Sequence, residues 1–122
     1  MKTMTDARTF NTGTYGVEGI PLIDIDGVEH LGLPTGELAK VEEAIALAAL
    51  EDGCRDPEAL RFARKAMGYT RASLAAAMDV ALFTVEACED GREAAAPEMI
   101  GRLIDLLAER DRGGFVALRV TV

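Results

Sequence analysis

One histidine and two cysteines in 122 residues leave little to build a metal centre from. A four-ligand structural zinc site needs more than His30, Cys54 and Cys88 supply, so no metal and no cofactor are expected. The chain also lacks a Ser or Cys nucleophile with a base nearby, a phosphate-cradling glycine loop and a metalloprotease motif. An enzyme is therefore not expected. Glycine is plentiful, but at turns and helix ends. No apolar run approaches the ~18 residues of a membrane span, and the N-terminus has no hydrophobic signal core. The expectation is a cytoplasmic protein with no membrane partner and with reduced thiols. Cations are scarce as well: 13 Lys and Arg stand against 21 Asp and Glu, a net charge of −8. General nucleic-acid affinity depends on Lys and Arg displacing counterions, so this balance argues against it.

The acidity is unevenly spread. Residues 1–56 carry net −7, residues 57–110 net −2 and residues 111–122 net +1. With 49% hydrophobic and 28% charged residues, the chain reads as one globular unit, or a small domain with an appendage. Such a chain buries roughly two-thirds of its unfolded surface.

Residues 1–13 are polar and Thr-rich without periodicity, which predicts a tail that frays by itself unless something, such as a second subunit, holds it. From Tyr15 to Leu33 the pattern predicts a β-hairpin turning at Asp26-Gly27, with Pro21 restricting its strand to an edge or a strand start. Asp24, Asp26, Glu29 and His30 cluster there. With no second cluster to complete a ligand set, they read as a solvated turn. A helix is predicted from Pro34-Thr35-Gly36 to about Asp52. Its apolar stripe (Leu38, Val41, Ile45, Ala48, widened by Ala44, Leu47 and Leu50) is broader than one neighbour covers. Either the helix lies deep in the core, or it is shared between the core and a dimer contact.

Asp56-Pro57-Glu58 predicts a helix start with Asp56 as N-cap. Leu60, Phe62, Ala63 and Met67 give its buried side and Gly68 its end; Arg61, Arg64 and Lys65 either solvate an outer face, the favoured reading, or approach phosphates. Cys54 is expected exposed and Cys88 buried. A further helix runs from Ala96-Pro97-Glu98 to about Arg110. Gly113-Gly114 then breaks the chain before a strand, FVALRVTV. A lone terminal strand must pair, either with the chain's own hairpin or with a second subunit; a homodimer is expected.

The stretch Thr70–Gly91 organises the rest. Thr70 caps a short helix bearing Leu74 and Met78, and Asp79 suits the left-handed conformation of a tight turn. A second short helix carries Leu82, Val85 and Cys88 or Glu89 at one-turn spacing, and Gly91 closes it. Two such helices make a helix-turn-helix. The stretch TRASLAAAMDVALFTVEACEDGRE resembles the Cro/repressor-type (XRE) helix-turn-helix at Thr70, Leu74, Ala75, Met78, Val80, Thr84, Val85, Glu89, Gly91 and Arg92. The likeness extends over residues 56–110. It implies a lambda-repressor-like helix-turn-helix domain; with the hairpin and C-terminal strand read above, the expected fold is mostly α, five helices with a small antiparallel β element. The domains would be a dimerising region at 1–55, the helix-turn-helix at 56–112 and the strand at 113–122.

The same resemblance implies a DNA-binding transcriptional regulator. Its partner would be double-stranded DNA, with Arg71 and Arg92 on phosphates and Ala81, Leu82, Phe83, Thr84 and Glu86 toward bases. The sequence departs from the family at that surface. Ala81, Leu82 and Phe83 replace a capping Ser and polar readers, Arg71 replaces Gln, and Cys88 replaces Trp. Ala, Leu and Phe reach only a thymine methyl. The alternative is a degenerate helix-turn-helix that binds a protein, such as a toxin or a second copy, through exposed Leu82 and Phe83.

A second, shorter resemblance lies upstream. GIPLIDIDGVEHLGLPTGELAKVEEAI is similar to the end of the zinc-finger half of two-domain antitoxins of the MqsA kind, matching at Gly19-Ile20-Pro21 and the helix 37–49. Asp24–Gly27 stand where zinc-ligating cysteines would be, which implies a metal-free, antitoxin-like relative.

Overall fold

In a computed structural model, residues 2–33, 37–110 and 115–120 are described. In chain order they form β1 (Thr3–Phe10), β2 (Gly13–Ile25), β3 (Val28–Leu31), α1 (Glu37–Glu51), α2 (Pro57–Ala66), α3 (Arg71–Met78), α4 (Leu82–Glu89), α5 (Pro97–Arg110) and β4 (Leu118–Val120).

The Thr-rich N-terminus is not a frayed tail. It is β1, paired antiparallel to β2 from Thr3↔Pro21 to Phe10↔Gly13. Its sequence hides this because only Met4 and Phe10 bring sizeable apolar groups to the ladder, while threonine stiffens the strand and hydrogen-bonds across it. Thr9 and Thr14 share such a bond at 2.9 Å. The register slips by one residue between Met4 and Asp6. Gly19, at φ 75°, takes up the extra residue as a bulge that bends β2. Beyond it, β2 pairs with β3 through a turn with Asp26 (φ 53°) and Gly27 (φ 81°) both left-handed. The C-terminal strand β4 pairs with β2 of the same chain, from Thr14↔Val120 to Gly16↔Leu118. A side chain at Gly16 would press on Ala7 and Val120.

This overturns the expected mostly α, lambda-repressor-like fold. Three strands of a four-stranded antiparallel sheet precede the helices and the fourth follows them; strands take about 25% of the structure, beside 49% helix. The extra strand content comes from the polar N-terminus, which has no hydrophobic period of its own. The predicted helix start at Pro34-Thr35-Gly36, the break at Gly113-Gly114 and the last two strand residues, 121–122, lie outside the described residues.

The breadth of the apolar surface on α1 has a simple origin. Val41, Ala44, Ile45 and Ala49 pack with Phe10, Tyr15, Val17 and Ile20 of the sheet. Ala46 and Leu50 pack into the helical core with Leu60, Leu74, Met78, Val85, Leu103 and Leu107. One helix is therefore sandwiched between two clusters within a single chain, and Leu38, part of the predicted stripe, is exposed. Asp56 does sit at the N-cap of α2, but it makes no side-chain cap. Its carboxylate instead accepts from the Asn11 backbone N–H (2.7 Å) and side-chain amide (2.9 Å), tying the β1–β2 turn to the helices. Cys54, expected at the surface, is fully buried in the sheet-side cluster. Cys88 is buried, 4.0 Å from the Met99 sulfur.

Two buried acids, Tyr15 and Cys88, couple the fold to alkaline pH. Burial, and then a hydrogen bond to the Asp52 carboxylate, push the Tyr15 phenol above its ordinary 10.0. Burial, then the charges of Glu93 and Glu89, push the Cys88 thiol above its ordinary 9.0. The folded chain holds these protons more tightly than the unfolded one. Their contribution is intact below pH 9 and is lost as pH rises through 9 and 10 toward the raised folded values. The urea midpoint should be flat up to that point and then fall. In Tyr15→Phe the part of the fall above pH 10 should disappear; an unchanged profile would exclude Tyr15 as its source.

Candidate nucleic-acid interface

The α3–turn–α4 unit is built as its sequence predicts. Thr70 and Ser73 close a capping box at the start of α3, with the Ser73 backbone N–H donating to the Thr70 hydroxyl at 3.0 Å. Leu74, Ala75 and Met78 turn inward. Asp79 ends the helix in the left-handed region (φ 55°, ψ 47°), and Arg102 of α5 donates to the carbonyls of Met78 (2.6 Å) and Asp79 (3.2 Å). Ala81 then opens α4 with no side-chain cap.

Val85, Ala87 and Cys88 anchor α4 in the core. The N-terminal end of α4 points outward: Ala81 is exposed, Leu82 is 43% exposed and Phe83 60%. Thr84 and Glu86 are half-buried at its flanks. Of the residues assigned to bases, the structure thus leaves three open and two partly screened.

The assigned phosphate contacts are not free. Arg71 at the start of α3 puts Nε 3.3 Å from a Glu89 oxygen and Nη2 3.0 Å from Asp90 Oδ1. The hydrogen bond to Asp90 is the main cause that raises its pKa above the ordinary guanidinium value. Arg92, beyond α4, stacks over the Phe83 ring at 5.5 Å and lies 3.6 Å from the other Asp90 oxygen.

Beneath this surface is a centre that sequence reading missed. Glu89 is 1% exposed. Its carboxylate accepts from Arg64 Nε at 2.8 and 3.1 Å and from Arg71, while Arg61 donates to its backbone carbonyl. Arg64 also donates to the Tyr69 carbonyl at 3.1 Å. A buried carboxylate thereby joins α2, α3 and α4. The expected solvated face of α2 is corrected accordingly: Arg61 and Arg64 are internal braces, and only Lys65 is exposed. The available signal was the pair Arg61 and Arg64, one helical turn apart, in a chain whose motif carries an acid at position 89.

Arg110 completes the pattern, donating to the Met67 carbonyl at 3.1 Å and stacking on Tyr69 at 4.9 Å. All six arginines between residues 57 and 110 therefore face an acceptor in their own chain. Among the described residues, no three His, Cys, Asp or Glu side chains group into a metal site, and no helix is long and apolar enough to cross a membrane.

No family model, curated protein or solved structure matches the chain.

Proposed function

We propose that the chain is a DNA-binding transcriptional regulator that uses α3–α4 as a Cro/repressor-type helix-turn-helix, carried on a sheet-first scaffold. One observation supports this above the others: beyond a left-handed turn at Asp79, the N-terminal residues of the second helix, Ala81, Leu82 and Phe83, are exposed. That end of the second helix is the part that meets base edges in such motifs. A homodimer would set two copies of α4 about one DNA turn apart on a palindromic site. An antitoxin that represses its own operon is one form such a regulator takes. The test is selection of bound duplexes from a random pool by the purified protein. Enrichment of a palindrome supports the reading; no enrichment at low salt overturns it.

A second reading, a protein-docking module that has lost DNA reading, is favoured by a specific observation. The cations around α4 are already paired with Asp90 and Glu89, while Leu82 and Phe83 are exposed. A toxin or a second copy would then cover this apolar pair. Under this reading the protein shows no duplex binding at low salt, and Leu82→Ser with Phe83→Ser abolishes its self-association or partner binding without lowering its unfolding midpoint.

A further inference from the structure

We propose that Asp90 is an internal stand-in for a nucleic-acid phosphate: its carboxylate occupies the place between Arg71 and Arg92 that a phosphodiester takes when a duplex docks on α4, and it holds duplex affinity down. The inference rests on the regulator reading above and adds a restraint to its site. Asp90 sits at the C-cap of α4. Its two oxygens are divided between the two cations, Oδ1 at 3.0 Å from Arg71 Nη2 and Oδ2 at 3.6 Å from Arg92 Nη2. Two anionic oxygens bridging two guanidinium groups is also the arrangement a phosphodiester presents.

The cations do not depend on Asp90 for their positions. Glu89 grips Arg71 at Nε from the buried side, and Arg92 rests on the Phe83 ring. Asp90 is 43% exposed along its side chain. The pairs it makes are the solvent-screened kind that contribute little and exchange easily. An incoming phosphate therefore meets two aimed cations and one replaceable anion. It must displace that anion before it gains anything.

The experiment is fluorescence anisotropy of a labelled random-sequence duplex across a salt titration, for the full chain, Asp90→Asn and the comparator Glu93→Gln. Glu93 is an exposed acid of the same loop with no ion pair to either arginine. Asp90→Asn should bind about ten-fold tighter at low salt and steepen the salt slope by ~1–2, one unit for each cation released. Glu93→Gln, which removes the same formal charge, should gain about two-fold or less. Equal gains in the two variants would overturn the inference, since net charge would then explain them. Elution from heparin separates this outcome from failure of the regulator reading. If no variant binds duplex but Asp90→Asn elutes at higher salt than Glu93→Gln, the regulator reading falls and the polyanion site stands. If the two elute together, the Asp90 inference falls whatever the duplex result. Asp90→Ser repeats the test should the amide perturb folding.

Discussion

Replacing Glu89 with alanine should destabilise the chain by about 3–5 kcal/mol, the range for removing one member of a buried ion pair. Most of that loss comes from what is left behind. Arg64 is only 11% exposed along its side chain, and without Glu89 its guanidinium stays buried with the Tyr69 carbonyl as its remaining acceptor. Against a typical total of ~5–15 kcal/mol for a natural domain, the variant would be close to unfolding. Urea denaturation at neutral pH measures the loss directly. Glu89→Gln should lose less, because the amide oxygen still accepts from Arg64. A double replacement, Glu89→Leu with Arg64→Met, should recover part of the loss, since it removes both charges together. An alanine variant with an unchanged urea midpoint would show that Glu89 does not brace the three helices.

The second large effect concerns α1. Ile45→Ala and Leu50→Ala should each cost about 2–5 kcal/mol, as large-to-small changes at fully buried positions do. They open cavities in different clusters: Ile45 packs on the sheet, Leu50 in the helical core. Because both sit on one helix, each variant should shift a single cooperative transition seen alike by near- and far-ultraviolet dichroism. Two separated transitions in either variant would mean that the sheet and the helices unfold as independent units. That outcome would detach the N-terminal region from the helix-turn-helix.

Different amounts of the structure were legible in different stretches. The capping residue Thr70, the left-handed Asp79 and the end of α4 at Gly91 follow from local chemistry, so the order of residues predicts them. The Asp26-Gly27 turn is of the same kind, because two adjacent positive φ angles suit that dipeptide. The strand β1 was illegible because its stability lies in its cross-strand partners on β2, from Phe10↔Gly13 to Thr3↔Pro21, and not in its own pattern. Cys54 follows a glycine that ends a helix, a local context that suggests the surface. Only the packing of α1 and α2 against the sheet encloses it.

The candidate interface divides in the same way. By itself, the sequence determined that two short helices meet at a tight turn and that the second begins with the apolar residues Ala81, Leu82 and Phe83. Caps, turns and helical spacing are decided within a few residues, which is why they can be read along the chain. Tertiary structure alone decided that Glu89 is a buried partner of Arg64 and Arg71, and that Asp90 stands between Arg71 and Arg92. It also decided that residues 3–10 form a further strand, β1, on the predicted hairpin. The contacts of Arg64 and Arg71 with Glu89 and Asp90 join residues 18 or more apart in the chain. Burial and pairing of a charge are properties of that meeting and not of the residue that carries it.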